Sequence, residues 1–340
     1  MMKTLKKFVS AFLALTLVLS LAACSGSQNP DESGGKDSGD NSGNTEKYLI
    51  GISQYGEHGS LDNCRTGFLQ GLAEAGLVEG EDFEVDYQNA GFDDNIASQI
   101  GATFSAEDVD LMVAIATPSA TACFAAAEDK DIPVVFTAIT DPVGAKLDSG
   151  NITGTSDVLP VEGQLDLIRQ LQPNAKSVGI VYTTSEANSV YSVGVYEEKA
   201  ADYGFTIEAV GVTAQSEVTQ AVDTLISKGV DCISNLTDNN VVGVLPAILE
   251  KTNDAGIPVY GSEIEQMKLG CVAGAGLDYI KLGVQTGQMA AKVLRGEATC
   301  QELPYEVIEN FDLYINSESL DAMGIAVPAA VADKAIEANG

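Results

Sequence analysis

Two short polar segments carry the residue types needed to hold the opposite charges of a zwitterion. Thr117-Pro118-Ser119 follows the apolar run 110–116 (DLMVAIA) and precedes Ala120 to Ala127, a run of good helix formers. Thr at a cap and Pro at the first helical position favour a helix start. The free amides of such a start suit a carboxylate or a phosphate, although the same residues also make an ordinary capped helix. Thr237-Asp238-Asn239-Asn240 follows the run 230–235 (VDCISN) and brings a carboxylate. That carboxylate either meets a ligand ammonium or serves as a turn residue or helix cap. Thr140-Asp141-Pro142 and Ser185-Glu186-Ala187-Asn188-Ser189 also sit just past apolar runs, with the same two options. His58 is the only histidine, so a His-containing triad would need it. A lone histidine in a Gly-flanked loop reads more simply as a hydrogen-bonding or exposed residue. HExxH, GxSxG and GxxxxGK[ST] do not occur. Gly274-Ala275-Gly276 has Tyr279 where a dinucleotide loop wants its third glycine, and it reads as a tight turn.

The elements that position these segments are short β-branched runs alternating with helical periods, the pattern of a parallel sheet covered by helices. Strands are expected at about 48–53, 83–88, 110–116 and 132–137, and again at about 177–183, 205–211, 230–235 and 257–261. The second set repeats the first. Gly51 answers Gly179, Val109 answers Val230 and Ile132 answers Ile257, at offsets of 128, 121 and 125 residues. A duplicated doubly wound unit fits this better than one long sheet. Segments 151–156 and 305–316 are the remaining extended stretches and are candidate crossings between two hinged lobes. Ligands of open parallel sheets bind beyond the carboxyl ends of the strands. The segments expected at the cleft are therefore 54–60, 117–119, 137–142, 183–189, 236–240 and 262–266.

Composition places the chain. Its 340 residues, 45% apolar, can bury a large core. With 18 Lys+Arg against 49 Asp+Glu, the net charge of −31 excludes nucleic-acid binding through a basic face. Residues 1–23 combine Lys3, Lys6 and Lys7 with a short apolar run from Phe8 to Ala23, which reads as an export signal. Its end, Leu21-Ala22-Ala23-Cys24, is similar to the lipobox of bacterial lipoproteins, where Cys24 becomes the lipidated N-terminus. Residues 24–46 are mostly Gly, Ser, Asn and Asp and are expected to form a flexible acidic tether. The folded part is expected to divide into an N-terminal α/β lobe at 47–156 with a later crossover contribution, a C-terminal α/β lobe at 157–304, and a crossover segment with C-terminal helices at 305–340. Cys64, Cys123, Cys232, Cys271 and Cys300 have no CxxC spacing and are expected to be buried thiols.

IGISQ (50–54), HGSLD (58–62), AIATPSA (114–120), IPVVFTAITDPVGAKL (132–147), NITGTSD (151–157), EANSV (186–190), LTDNN (236–240) and GLDYIKLG (276–283) occur in that order over nearly the whole folded part. In this the chain resembles the ABC-transporter substrate-binding lipoproteins of the tryptophan/tyrosine-binding type. The resemblance implies an α/β fold of two Rossmann-like lobes joined by a hinge, the type I periplasmic-binding-protein fold. It also implies a monomeric, lipid-anchored protein outside the cell membrane that captures an aromatic amino acid without catalysis or cofactor. Its partners would be an ABC permease and the ATPase. By motif position the ligand would meet Gln54, Thr117, Ser119, Asp141, Asn188, Ser189 and Asp238. Ser60, Pro118 and Asn239 stand beside these. Thr117, Ser119 and the helix amides would take the carboxylate, Asp238 the ammonium, and Gln54, Asn188 and Ser189 orienting bonds. Tyr55, Phe136, Tyr182 and Tyr260 near strand ends either stack on a ring or fill the core. One departure stands out: the family's usual His-Pro-Ala-Leu-Asp is here His58-Gly59-Ser60-Leu61-Asp62. Two other readings are a sensor lipoprotein of the same fold and an extracytoplasmic α/β hydrolase using His58 with Asp62.

Overall fold

A computed structural model describes residues 47–308 and 311–338. The leader, Cys24 and the tether lie outside the described residues. The first lobe begins with β1 (Tyr48–Gln54), α1 (Gly59–Glu74), β2 (Phe83–Asn89) and α2 (Asp94–Ala106). It continues with β3 (Leu111–Ile115), α3 (Thr117–Ala127), β4 (Val134–Thr137) and β5 (Ile152–Ser156). The second lobe comprises α4 (Val161–Leu171), β6 (Ser177–Thr183), α5 (Ala187–Lys199), β7 (Thr206–Val212) and α6 (Val218–Lys228). After these come β8 (Cys232–Ser234), α7 (Asn239–Val242), α8 (Leu245–Ala255), β9 (Val259–Glu263), α9 (Ile264–Leu269) and β10 (Ala273–Leu277). The chain ends with α10 (Tyr279–Leu294), β11 (Glu306–Val307), β12 (Asp312–Ile315), α11 (Ser317–Ala322), α12 (Ala329–Ala332) and β13 (Ile336–Glu337).

The two sheets share one topology. The first runs β2-β1-β3-β4-β5-β11 and the second β7-β6-β8-β9-β10-β12-β13. Each is a 2-1-3-4-5 doubly wound order, so β1, β3 and β4 correspond to β6, β8 and β9, as the repeat in the sequence requires. The pairings are parallel apart from β10 with β12. Buried runs such as Leu111–Ile115, with no exposed face, form central strands because helices cover both sides. The five cysteines described are buried and unpaired.

The lobes are not contiguous in sequence. Helix α10 leaves the second sheet and returns to pack along α1, and Leu282, Ala290, Ala291 and Cys300 join the first lobe's core. Strand β11 then extends the first sheet, while β12 and β13 extend the second. The lobe boundary drawn at 157–304 therefore differs from the fold at its C-terminal end. The return is made possible by Gly67 and Gly71 on α1 meeting Gly283 and Gly287 on α10. A Cβ on any of the four would press into backbone of the facing helix, such as the carbonyl oxygens of Ile280, Val284, Cys64 and Phe68.

Candidate functional site

Strand ends of both lobes converge on one cavity. His58, Ser60, Leu61, Ala116, Ala138 and Thr140 line it from the first lobe. Asn188, Thr237, Asn239, Val242 and Gln266 line it from the second, and Asp157 and Tyr279 from the two crossings. The space is narrow: the centre of a water molecule has about 10 Å³ in which to move, near the ~10–15 Å³ that one water requires.

Three side-chain bonds draw the lobes together. Ser60 Oγ donates to Glu263 Oε1 at 2.9 Å, Asn63 Nδ2 to Glu265 Oε1 at 3.0 Å, and the His58 ring bonds Asn239 Oδ1 at 3.3 Å through Nε2. The Gly59-Ser60 departure lies at this seam. Its serine supplies a hydroxyl donor that alanine lacks, and a Cβ on Gly59 would stand 3.3 Å from Glu265 Cγ.

At the floor, Asp157 follows β5 and is buried. Its Oδ1 accepts from Thr140 Oγ1 at 2.9 Å and its Oδ2 from the Tyr279 hydroxyl at 2.6 Å. Desolvation raises its pKa, against the pull of these two donors. The helix start above it has an unusual backbone. Ala116, the N-cap of α3, has φ 79° and ψ 154°, and it provides no capping side chain. Ala138 has φ 60°. Non-glycine residues held in such regions cost of order 1–3 kcal/mol each and cluster at ligand sites. Both line this cavity.

The sequence-selected residues divide. Ser60, Asn188 and Asn239 line the cavity. Thr117 and Pro118 face a neighbouring open groove that Asp94, Ser185 and Ala187 also line. The others are engaged elsewhere. Gln54 donates to Gly56 O and Asp62 Oδ1 and accepts from Arg65, bracing the loop before α1. Ser119 Oγ accepts from Ser53 Oγ inside the first lobe. Asp141 caps its own turn through Gly144 N. Ser189 Oγ accepts from Asn188 Nδ2 at 3.3 Å.

Asp238 bonds within its own lobe. Both its oxygens are taken by its own lobe, through Thr183 N at 2.6 Å, Thr183 Oγ1 at 2.9 Å and Val241 N at 3.0 Å. It is the buried N-cap of α7 and is not among the residues that line the cavity. The aromatic expectations also shift. Tyr55 donates to Asp94 at 2.8 Å, Tyr260 donates to Gln172 at 3.0 Å, and Phe136 and Tyr182 pack with the lobe cores. The cavity's aromatic wall is instead Tyr279, which sequence reasoning passed over together with Asp157.

Beneath this seam lie more buried carboxylates. Burial lifts the Glu263 carboxyl to about 7 despite its bonds to Glu265 N, Gln266 N and Ser60. Glu186 is raised by burial and by the nearby Asp238 charge, against five amide N–H donors from Asn188, Asn239 and Asn240. A carboxyl whose folded pKa exceeds its unfolded value binds more protons in the folded state between the two, so stability falls as pH rises through that window. His58 has the opposite sign: desolvation lowers its pKa, so its contribution is lost as pH falls below its unfolded value of about 6.5. The carboxyls outnumber it. The melting temperature is expected to be several degrees higher at pH 5.5 than at pH 8, and Glu263→Gln is expected to flatten that slope. A melting temperature that rises from pH 5.5 to pH 8 contradicts this.

Residues 49–339 match the family model described as ABC transporter substrate binding protein. The chain belongs to this family. The substrate-binding protein is 36% identical over 325 residues to a tyrosine-binding protein of Clostridioides difficile, covering 94% of this chain and 92% of that one. Among solved structures it is similar to an ABC domain from Streptococcus pneumoniae in complex with L-Trp. The TM-score is 0.82 and the identity 33%, over 86% of this chain and 99% of that one. It is also similar to a substrate binding protein with adhesive properties from Clostridium difficile, in a ligand-free, open structure. There the TM-score is 0.63 and the identity 35%, over 85% of this chain and 99% of that one. Identity and coverage are nearly equal in the two comparisons. The TM-score is the higher one for the L-Trp complex. A substrate-binding protein of an ABC transporter works outside the cytoplasm and is not an enzyme.

Proposed function

We propose that this substrate-binding protein captures an aromatic amino acid between its lobes and delivers it to an ABC permease, acting as a monomer anchored through lipid on Cys24. The observation that carries the reading is the inter-lobe cavity itself. A carboxylate lies at one part of its wall and a helix start without a capping side chain at another. Among the lining residues described, Asp157 is the one carboxylate, so the ligand ammonium pairs with it. The ligand carboxylate meets the free amides at the start of α3, beside Ala116 and Thr117. Leu61, Ala138, Val242 and Tyr279 provide an apolar wall for the ring.

Binding works by lobe movement and makes or breaks no covalent bond. The lobes part to admit the ligand, then close through Ser60–Glu263, Asn63–Glu265 and His58–Asn239, presenting the closed rim to the permease. The similarity to a tyrosine-binding relative and to an L-Trp complex supports the ligand class. Calorimetry is expected to show saturable one-to-one binding of L-Tyr or L-Trp, with Cys24→Ser moving the protein from the membrane to the soluble fraction. No heat with any amino acid contradicts the ligand, and unchanged fractionation contradicts the anchor.

A further inference from the structure

We propose that the starts of α1 and α9 form a clasp, Ser60 with Glu263 and Asn63 with Glu265, that sets how long the closed lobes hold a ligand without taking part in choosing it. This rests on the reading of the seam as one that opens and closes around a ligand, and it assigns the lifetime of the closed form to named residues.

The beginning of α1 is turned toward the other lobe. Its N-cap, His58, makes no side-chain bond to the helix's own amides, and Ser60 Oγ and Asn63 Nδ2 donate across the seam at 2.9 and 3.0 Å. The acceptors are held from behind. Glu263 is fully buried and caps α9, its oxygens taking Glu265 N at 2.7 Å and Gln266 N at 3.1 Å, while Glu265 accepts from Lys268 Nζ at 2.8 Å. Both carboxylates therefore have partners within their own lobe. Parting the lobes costs each glutamate only its bond to α1.

Ser60 lines the cavity, whereas Asn63, Glu263 and Glu265 do not. A contact made outside the cavity does not discriminate among ligands. It slows their escape, because it must break before the lobes part, and it leaves capture untouched, because it is absent while the lobes are open. Ser60 is also where this chain departs from His-Pro-Ala-Leu-Asp. Alanine there has no hydroxyl for Glu263, so this half of the clasp comes with the departure.

The test follows association and dissociation of L-Trp and L-Tyr with the full chain by stopped flow at pH 8, above the Glu263 value of about 7. Ser60→Ala is expected to speed dissociation about tenfold, the loss of one hydrogen bond to a buried carboxylate, and to leave association within about twofold. Asn63→Asp is expected to speed dissociation about 10- to 100-fold by facing Glu265 with a like charge, an excess that shrinks as salt is raised. An acid near the start of α1 suits the helix, so the variant folds. Adding Glu265→Gln restores a bond of reversed polarity, the glutamine amide donating to the new carboxylate, and is expected to return dissociation to within about threefold of the parent. The ratio of L-Trp to L-Tyr affinity stays the same throughout. Dissociation unchanged in Ser60→Ala and Asn63→Asp, a double variant as fast as Asn63→Asp alone, or rates that change for one amino acid and not the other overturn the clasp. A parent chain that binds neither amino acid overturns instead the reading of the seam on which it rests.

Discussion

Asp157→Asn is expected to weaken amino-acid binding by roughly 100- to 1,000-fold while leaving the melting temperature unchanged or higher. Removing one member of a buried charge pair costs about 3–5 kcal/mol when its partner stays buried, and each 1.4 kcal/mol is a factor of ten. The buried ammonium of a captured ligand would lose its only lining carboxylate. The protein, by contrast, loses a desolvated charge. Asparagine still offers an acceptor to Thr140 or to the Tyr279 hydroxyl, and burial already disfavours the ionised Asp157. Loss of binding without loss of stability is therefore the signature. Calorimetry together with thermal melting checks it, and an affinity within threefold of the parent would remove Asp157 from the ammonium site.

Gly71→Val is expected to destabilise the fold by about 3 kcal/mol or more. Overpacking typically costs about 1–3 kcal/mol, and here there is no flexible side chain to move aside. The added Cβ would meet the Val284 carbonyl and Gly287 Cα on α10, which are backbone. The consequence reaches the site, because α10 begins with Tyr279, whose hydroxyl holds Asp157. The variant should lose roughly 10 °C of melting temperature and bind ligand more weakly. Gly194 supplies the contrast. It lies within α5 with nothing within 4 Å of an added Cβ, so Gly194→Ala should stabilise by about 0.5–1 kcal/mol. Equal melting temperatures for the two variants would contradict the close α1–α10 crossing.

The duplicated fold was legible because it is written in repeats. Buried strands read as apolar runs, and three of them recur at offsets near 125 residues. The return of α10 to the first lobe was not, since its apolar period suits either lobe equally. The signal lay in spacing: Gly67 and Gly71 on one helix, Gly283 and Gly287 on another, each pair four apart. The strand-end rule found the windows that hold His58, Ser60, Ala138, Thr140, Asn188, Thr237, Asn239 and Gln266. It passed over Asp157, which stands just past the candidate crossing 151–156, and Tyr279, which follows a glycine segment that reads as a tight turn. Asp238 shows a further boundary. Residue type says that a carboxylate stands at the strand end. Only the positions of Thr183 and Val241 decide that it caps its own helix.

The chain contains no tryptophan, so indole emission in a titration with L-Trp comes from the ligand alone. If two lobes enclose an amino acid at their seam, adding protein should shift that emission to shorter wavelength, saturating at one ligand per chain, and excess L-Tyr should reverse the shift. Emission that stays at its aqueous position at every protein concentration would contradict enclosure of this ligand between the lobes.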